Sequence, residues 1–178
     1  MAIFEIAYKK TLAHEGGYVN DPDDSGGETY KGVARAMHKD WTGWAIIDAA
    51  KNDSTFPKNL DNNEKLNEAI QDFYEKKFWN PIKATDIQSQ LVAESIFDFG
   101  VNAGVKTSAK LAQKVVGVVQ DGSIGPITLR ALNSFNKKHF LYAFTLEKIR
   151  RYVEIIKLRP VTKKYLYGWI RRALEGVK

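Results

Sequence analysis

The residues best equipped for chemistry lie between positions 15 and 32, in the run Glu15-Gly-Gly-Tyr18, Asn20-Asp-Pro-Asp-Asp24 and Gly26-Gly-Glu-Thr29-Tyr-Lys-Gly32. Carboxylates there stand beside a hydroxyl and beside glycines that let a ligand approach the backbone closely. A carboxyl group kept protonated near neutral pH can deliver a proton to the leaving oxygen of a glycosidic bond. Glu15 suits that task. Ile3, Ile6, Ala7, Leu12 and Ala13 lead up to it at near-helical spacing, and Gly16-Gly17 supplies a stop just behind it. A carboxylate at a helix C-terminus faces the negative end of the helix dipole, and burial in a cleft also disfavours its ionised form, so both effects favour the acid.

A second carboxylate would position water or stabilise positive charge at the anomeric carbon. Asp24, nine residues after Glu15, is the preferred candidate, with Asp21 and Asp23 as alternatives, although aspartates in turns also cap their own backbone. Thr29 offers a hydroxyl that both donates and accepts, suited to holding the attacking water. Tyr18, Tyr30 and Trp79 are candidates for stacking on sugar faces, with core packing as the alternative. Asp98 and Asn102 are candidates for hydrogen bonds to the substrate or the active-site loop, with helix C-capping as the alternative for Asn102. No metal is expected. Asp21, Asp23, Ser25 and Gly26 fit the first half of a calcium loop, but Gly32 stands where a bidentate Glu is required. His14 has no second histidine at ligand spacing, which leaves it a structural residue.

These side chains need a scaffold, and the periodicity predicts a mainly helical one. A first helix ends at Glu15, and the turn-rich stretch from Tyr18 to Ala34 predicts a small irregular loop or hairpin. Asn62 or Asn63 caps a helix with Leu66, Ile70, Phe73, Tyr74 and Phe78 on one side, ended before Pro81. Further helices are predicted from Ile87 to Phe99, ending at Gly100, and from Lys106 to Val116. Gly125-Pro126 opens another through Leu132, and two longer helices follow, separated near Pro160.

The chain has 178 residues, 44% of them hydrophobic, enough for a full core, and it contains no cysteine for a disulfide, a thiolate metal site or a nucleophile. Glu5, Lys9 and Lys10 interrupt the N-terminal apolar residues, so no secretory signal is predicted, and no apolar run is long enough for stable membrane insertion. Residues 1 to 100 hold 11 Lys/Arg against 17 Asp/Glu, whereas residues 101 to 178 hold 16 against 4. The basic half favours an anionic polymer, and nucleic acid, anionic lipid and wall polymers share that chemistry. In this half Tyr142, Tyr152, Tyr165, Tyr167 and Trp169 alternate with Lys and Arg, as they do in nucleic-acid binders and in packed helices. The composition shift near Gly104 predicts a boundary, giving a catalytic module over 1–104 and a helical module over 105–178 packed against it.

The series from Glu15 to Gly32 resembles the glycoside hydrolase family 108 muramidases, some described as secretion activators. The resemblance continues through Phe78-Trp79-Asn80-Pro81 and Phe97-Asp98-Phe99-Gly100-Val101-Asn102-Ala103-Gly104, and covers roughly residues 5 to 104. Ser25 stands where that family often has Pro, a difference of loop stiffness more than of chemistry. Asp121-Gly-Ser-Ile-Gly-Pro-Ile-Thr128 is similar to the core of small peptidoglycan-binding modules. The resemblance, shared with phage-type lysozymes, implies a lysozyme-like fold with Glu15 as acid, Asp24 as water-positioning carboxylate and Thr29 as water ligand. It implies cleavage of the β-1,4 bond between N-acetylmuramic acid and N-acetylglucosamine, without a cofactor, in a groove between the Glu15 region and the middle helices. Peptidoglycan strands are the expected partner, nucleic acid is not, and a monomer is expected. The alternative is a non-catalytic peptidoglycan-binding protein of the same fold. Without a signal peptide, the expected setting is synthesis in the bacterial cytoplasm and action in the periplasm or at the wall, after holin-type (endolysin-like) or non-classical release.

Overall fold

A computed structural model describes residues 1–12, 16–21 and 27–176. The chain divides into two units, one formed by Tyr8–Lys77 and the other by Met1–Ala7 together with Phe78–Lys178. Among the described residues there are eight α-helices and one small antiparallel sheet, a mainly α, lysozyme-like fold with a hairpin after the first helix.

Helix α1 covers Phe4–Leu12, and the sheet follows as β1 (Tyr18–Asn20), β2 (Glu28–Tyr30) and β3 (Val33–Ala34). β2 is central, pairing Thr29 with Val19 on one side and with Ala34 on the other. The β2–β3 connection is the two-residue turn Lys31-Gly32, with φ of 42° and 79°. Positive φ at both positions marks the turn type whose twist matches paired strands, and glycine adopts it without a steric cost. Lys31 is not glycine, and its conformation is held from helix α3 (Glu64–Tyr74). Its Nζ donates to Asn67 Oδ1 at 3.2 Å, and its carbonyl accepts from the Tyr74 hydroxyl at 2.8 Å.

Alternation along β2 puts Glu28 and Tyr30 on one face and Thr29 on the other. Tyr30 is fully buried and stacks on Trp41 at 6.4 Å, and Trp41 meets Trp44 and Phe73 edge to face. Helix α2 (Gly43–Ala50) begins against this cluster. A Cβ on Gly43 would lie 2.3 Å from the Trp41 ring, so the ring occupies space that only glycine leaves free. Of the two predicted caps for α3, Asn63 is the one used, accepting from Leu66 N at 3.0 Å. The stripe Leu66, Ile70, Phe73 and Tyr74 is buried as its spacing requires. The helix does not run on to Phe78 in α form. It passes into a π turn over Glu75–Trp79 and then a 3₁₀ turn over Asn80–Ile82, where proline ends α geometry.

In the other unit, Phe4 packs against Trp79 at 5.6 Å and Phe97 at 5.9 Å, and those two rings meet at 5.6 Å. Helix α4 covers Gln90–Ala103 and α5 covers Val105–Val115. The predicted stop at Gly100 falls inside α4, where the glycine packs near Ser108. The helix ends at Gly104, whose φ of 89° turns the chain directly into α5. Ser108 Oγ donates to the Ile96 carbonyl at 2.6 Å, tying the two helices together. Helix α6 (Pro126–Ser134) starts with proline in its first turn, and α7 (Lys137–Leu158) is capped by Asn136. A 3₁₀ stretch over Pro160–Tyr165 leads to α8 (Leu166–Glu175). α7 buries Lys148 to 2% exposure, with Nζ donating to Ser95 Oγ at 3.0 Å and lying 4.8 Å from the Phe144 ring centroid. Burial pushes its pKa down to about 8, against the pull of Asp98 and with the push of Arg172.

The Asp121–Thr128 motif spans the loop before α6 and the first turn of α6, and its polar atoms converge on Gln113 of α5. The Gln113 side-chain amide donates to Asp121 Oδ1 (2.7 Å), the Ser123 carbonyl (3.0 Å) and Thr128 Oγ1 (3.2 Å), while its carbonyl accepts from Gly122 N (2.8 Å). Gly122 has φ of 83° and a Cβ there would sit 2.6 Å from Lys106 Cγ, so the glycine is required on both counts. The motif's visible work is to hold this turn against Gln113 of α5.

Candidate active site

Of the three residues expected to carry catalysis, Glu15 and Asp24 lie outside the described residues, as do His14, Asp23 and Ser25. Thr29 is described, at the centre of the sheet and half-buried. Its hydroxyl donates to the Gly27 carbonyl at 3.2 Å, which leaves its oxygen lone pairs able to accept. Val19, its partner across β1–β2, is exposed. Thr29 therefore sits on the more open face of the sheet, opposite the packed Tyr30. Gly16 and Gly17 are exposed, and a Cβ on either would meet no atom of the described residues within 4 Å. Packing among those residues does not demand glycine there.

The other face of the hairpin carries a charged cluster that sequence reasoning missed. Glu28 accepts from the Tyr18 hydroxyl at 2.8 Å and lies 2.7 Å from both Arg35 Nε and Lys51 Nζ. Arg35 also grips Asp48 with two bonds, of 3.0 and 2.7 Å, and Lys51 reaches Asp48 at 2.8 Å. The bonds from Arg35 and then Lys51 hold the Asp48 carboxyl down to about 2, while the same bonds raise the pKa of Arg35 and Lys51. The Arg35 guanidinium lies 4.5 Å from the Trp44 ring centroid, so one side chain joins the hairpin to α2 by charge and by stacking. A shallow, open depression of about 420 Å³ is lined by Gly27, Glu28, Arg35, Ala36 and Lys39. Asp48 on α2 and Lys51 at its C-terminal cap, three apart, were the local signal for this cluster; its link to Glu28 is made by the fold.

The candidate sugar-binding residues separate into distinct settings. Tyr18 is half-buried, its ring edge-on to Phe56 at 4.7 Å, and its hydroxyl pKa is raised by burial and by the bond to Glu28. Tyr30 is a core residue. Its buried hydroxyl has no hydrogen-bond partner among the described residues, and burial, with Asp61 adding to it, pushes its pKa up to about 12. Trp79 is also core, 1% exposed, with Nε1 donating to Thr85 Oγ1 at 2.9 Å. Neither ring presents a face to solvent, so packing takes the place of the sugar stacking considered for them. Asp98 receives Arg172 Nη2 from α8 at 2.9 Å, and Asn102 Nδ2 donates to the Asp98 carbonyl at 2.7 Å. Asn102 lies inside α4, and the helix cap falls to Gly104. Both side chains brace α4 within its own unit.

Among the described residues no group of three or more His, Cys, Asp and Glu could hold a metal ion, and no helix is long and apolar enough to cross a membrane. No curated protein matches the chain. Among solved structures, that of Brucella abortus SagA is similar, with a TM-score of 0.70 and 25% sequence identity over 98% of this chain and 91% of that one. Residues 107–174 match the family described as Predicted Peptidoglycan domain. Residues 8–104, which include the Glu15–Gly32 series, the sheet with Thr29 and α4, match the family described as Glycosyl hydrolase 108. A hydrolase of glycosidic bonds with a peptidoglycan-directed region is what those two matches describe, and the chain belongs to glycosyl hydrolase family 108.

Proposed function

We propose that the chain is an N-acetylmuramidase, cleaving the β-1,4 bond between N-acetylmuramic acid and N-acetylglucosamine in peptidoglycan with Glu15 as general acid. The observation that carries this reading is the family match over residues 8–104, which spans Glu15, Asp24 and Thr29, next to the peptidoglycan-domain match over 107–174. Glu15 gives its proton to the leaving oxygen as the bond to the anomeric carbon breaks. Water then adds its oxygen at that carbon and gives up one proton to the carboxylate pair, with Asp24 as the second carboxylate and Thr29 accepting a hydrogen bond from the water. Thr29 supports this through its place on the open face of the sheet and its available lone pairs. The site of action is the periplasm or the wall, where the polymer is found.

Mass spectrometry of purified peptidoglycan digested with wild type and Glu15→Gln tests the bond and the acid together. Muropeptides ending in reducing N-acetylmuramic acid are expected from wild type, with a loss of roughly 100-fold or more for the variant. Reducing-end N-acetylglucosamine would refute the bond. Equal digestion by both proteins would refute the acid, and binding to peptidoglycan without digestion by either would leave a wall-binding protein.

A further inference from the structure

The corner between α7 and α8 carries a surface that neither the fold nor the proposed catalysis uses. From Ile155 to Leu174 there is no acidic residue but there are six cations. Three of them are engaged: Lys157 with Glu154, Arg171 with Glu175 and Arg172 with Asp98. Arg159, Lys163 and Lys164 are exposed and form no ion pair among the described residues. Interleaved with them stand Leu158, Val161 and Tyr167, exposed to 81%, 76% and 81%. Folding gains nothing from those three apolar side chains in water.

They stand close together along the chain, on three successive elements. Leu158 closes α7, Val161 lies in the 3₁₀ turn and Tyr167 is in the first turn of α8. In a 3₁₀ turn residues three apart lie one above the other, which aligns Val161 with Lys164. Next to the corner, Trp169 stacks on the buried Tyr152 at 5.2 Å and meets the half-exposed Tyr165 at 6.0 Å, which anchors α8 to α7. The Thr162 hydroxyl donates to the Arg159 carbonyl at 2.7 Å and fixes the turn itself.

We propose that this corner docks peripherally on an anionic phospholipid bilayer. Charge complementarity selects an anionic partner, and the exposed aliphatics select lipid among anionic partners. Leu158 and Val161 add nothing to binding a phosphate backbone or a hydrophilic glycan, but they partition into the boundary between headgroups and acyl chains. Tyr167 has the amphipathic shape that settles at that boundary, and Lys and Arg stems can lie along apolar surface with their charges at the headgroups. Membrane apposition would place the hydrolase beside the wall layer nearest the bilayer. The inference stands apart from the catalytic reading, since it uses none of the residues assigned to catalysis.

Co-sedimentation of the full chain in 50 mM salt tests it. The probes are vesicles of phosphatidylethanolamine with ~30% phosphatidylglycerol, vesicles of phosphatidylcholine alone, a short DNA duplex and lipid-free sacculi. Binding to the anionic vesicles at least roughly tenfold tighter than to phosphatidylcholine is expected, with a comparable loss in 300 mM salt. The double variants L158S/V161S and K163E/K164E should each lower that affinity by roughly tenfold or more without shifting the melting temperature. Equal binding to both vesicle types, or none to either, would overturn the proposal. So would an L158S/V161S protein that keeps full affinity for anionic vesicles. A loss on DNA or on sacculi as large as that on vesicles in L158S/V161S would also overturn it, because the apolar pair would then not be reading lipid.

Discussion

Lys148 offers a test of packing energetics in which the sign of the effect is unusual for a buried residue. Its ammonium group sits in the α4–α7–α8 core with the Ser95 hydroxyl and two aromatic rings beside it, and its pKa falls from the ordinary 10.5 to about 8. The neutral form is favoured by the fold. The lysine-linked stability is therefore complete above the unfolded pKa of 10.5 and is lost as pH falls through about 8. At roughly 1.4 kcal/mol per tenfold, holding the charge inside at pH 7 costs about 3 kcal/mol. About 2 kcal/mol of that should return between pH 7 and 9.5. The window closes near pH 10, where Tyr8, Tyr30 and Tyr152, all raised by burial, stay protonated in the fold while the unfolded chain ionises, so that stability falls. Lys148→Met fills nearly the same volume without the charge and leaves only the Ser95 hydroxyl to find another partner. Urea unfolding at pH 7.0 and 9.5 should show wild type gaining about 2 kcal/mol with pH, and the variant starting higher and staying level. A wild type that does not gain stability over this range, or a variant weakened by several kcal/mol at pH 7, would refute the reasoning.

Gly43→Ala should lower stability by about 1–3 kcal/mol, seen as a lower melting temperature, because Trp41 is fixed by its bond to the Ala69 carbonyl and by three neighbouring rings and cannot give way. Gln113→Ala should cost about 3 kcal/mol in denaturant unfolding, since Gly122 N, the Ser123 carbonyl and Thr128 Oγ1 all lose their partner; a change under about 1 kcal/mol would show that water replaces the amide freely. Thr29→Val should cut the rate of peptidoglycan digestion by roughly tenfold at unchanged melting temperature, while Thr29→Ser keeps most of it; equal rates for both would remove Thr29 from water binding.

Helix positions were legible where an apolar stripe and a cap coincide. Asn63 with Leu66, Ile70, Phe73 and Tyr74 is one case, and Gly125-Pro126 opening α6 is another. Gly100 misled because a glycine in a helical pattern is a stop only where the backbone needs positive φ, and that need arises four residues later, at Gly104. The π turn at Glu75–Trp79 left no mark in the spacing, since the same side chains serve either helix type. For the candidate site, the roles of Glu15, Asp24 and Thr29 remain sequence readings, and the fold adds only the place of Thr29 on the open face of the sheet. The Glu28 cluster was not legible, because Arg35 and α2 reach it only after the chain folds back. Trp79 and Tyr30 show the converse limit: an aromatic side chain looks the same in sequence whether it faces a sugar or a core, and burial alone decides.

Helix α4 belongs by sequence to the family region that ends at residue 104, yet much of its packing lies beyond that point. Phe99 meets Phe144 and Tyr152, Ser108 bonds the Ile96 carbonyl and Arg172 holds Asp98. The stretch that is inherited as a piece is thus not the stretch that folds as a piece. A chimera joined between 104 and 107, the natural seam for shuffling two modules, would hand that side of α4 a stranger's surface, whereas grafts that carry α4 together with α5, α7 and α8 would keep its contacts with those helices.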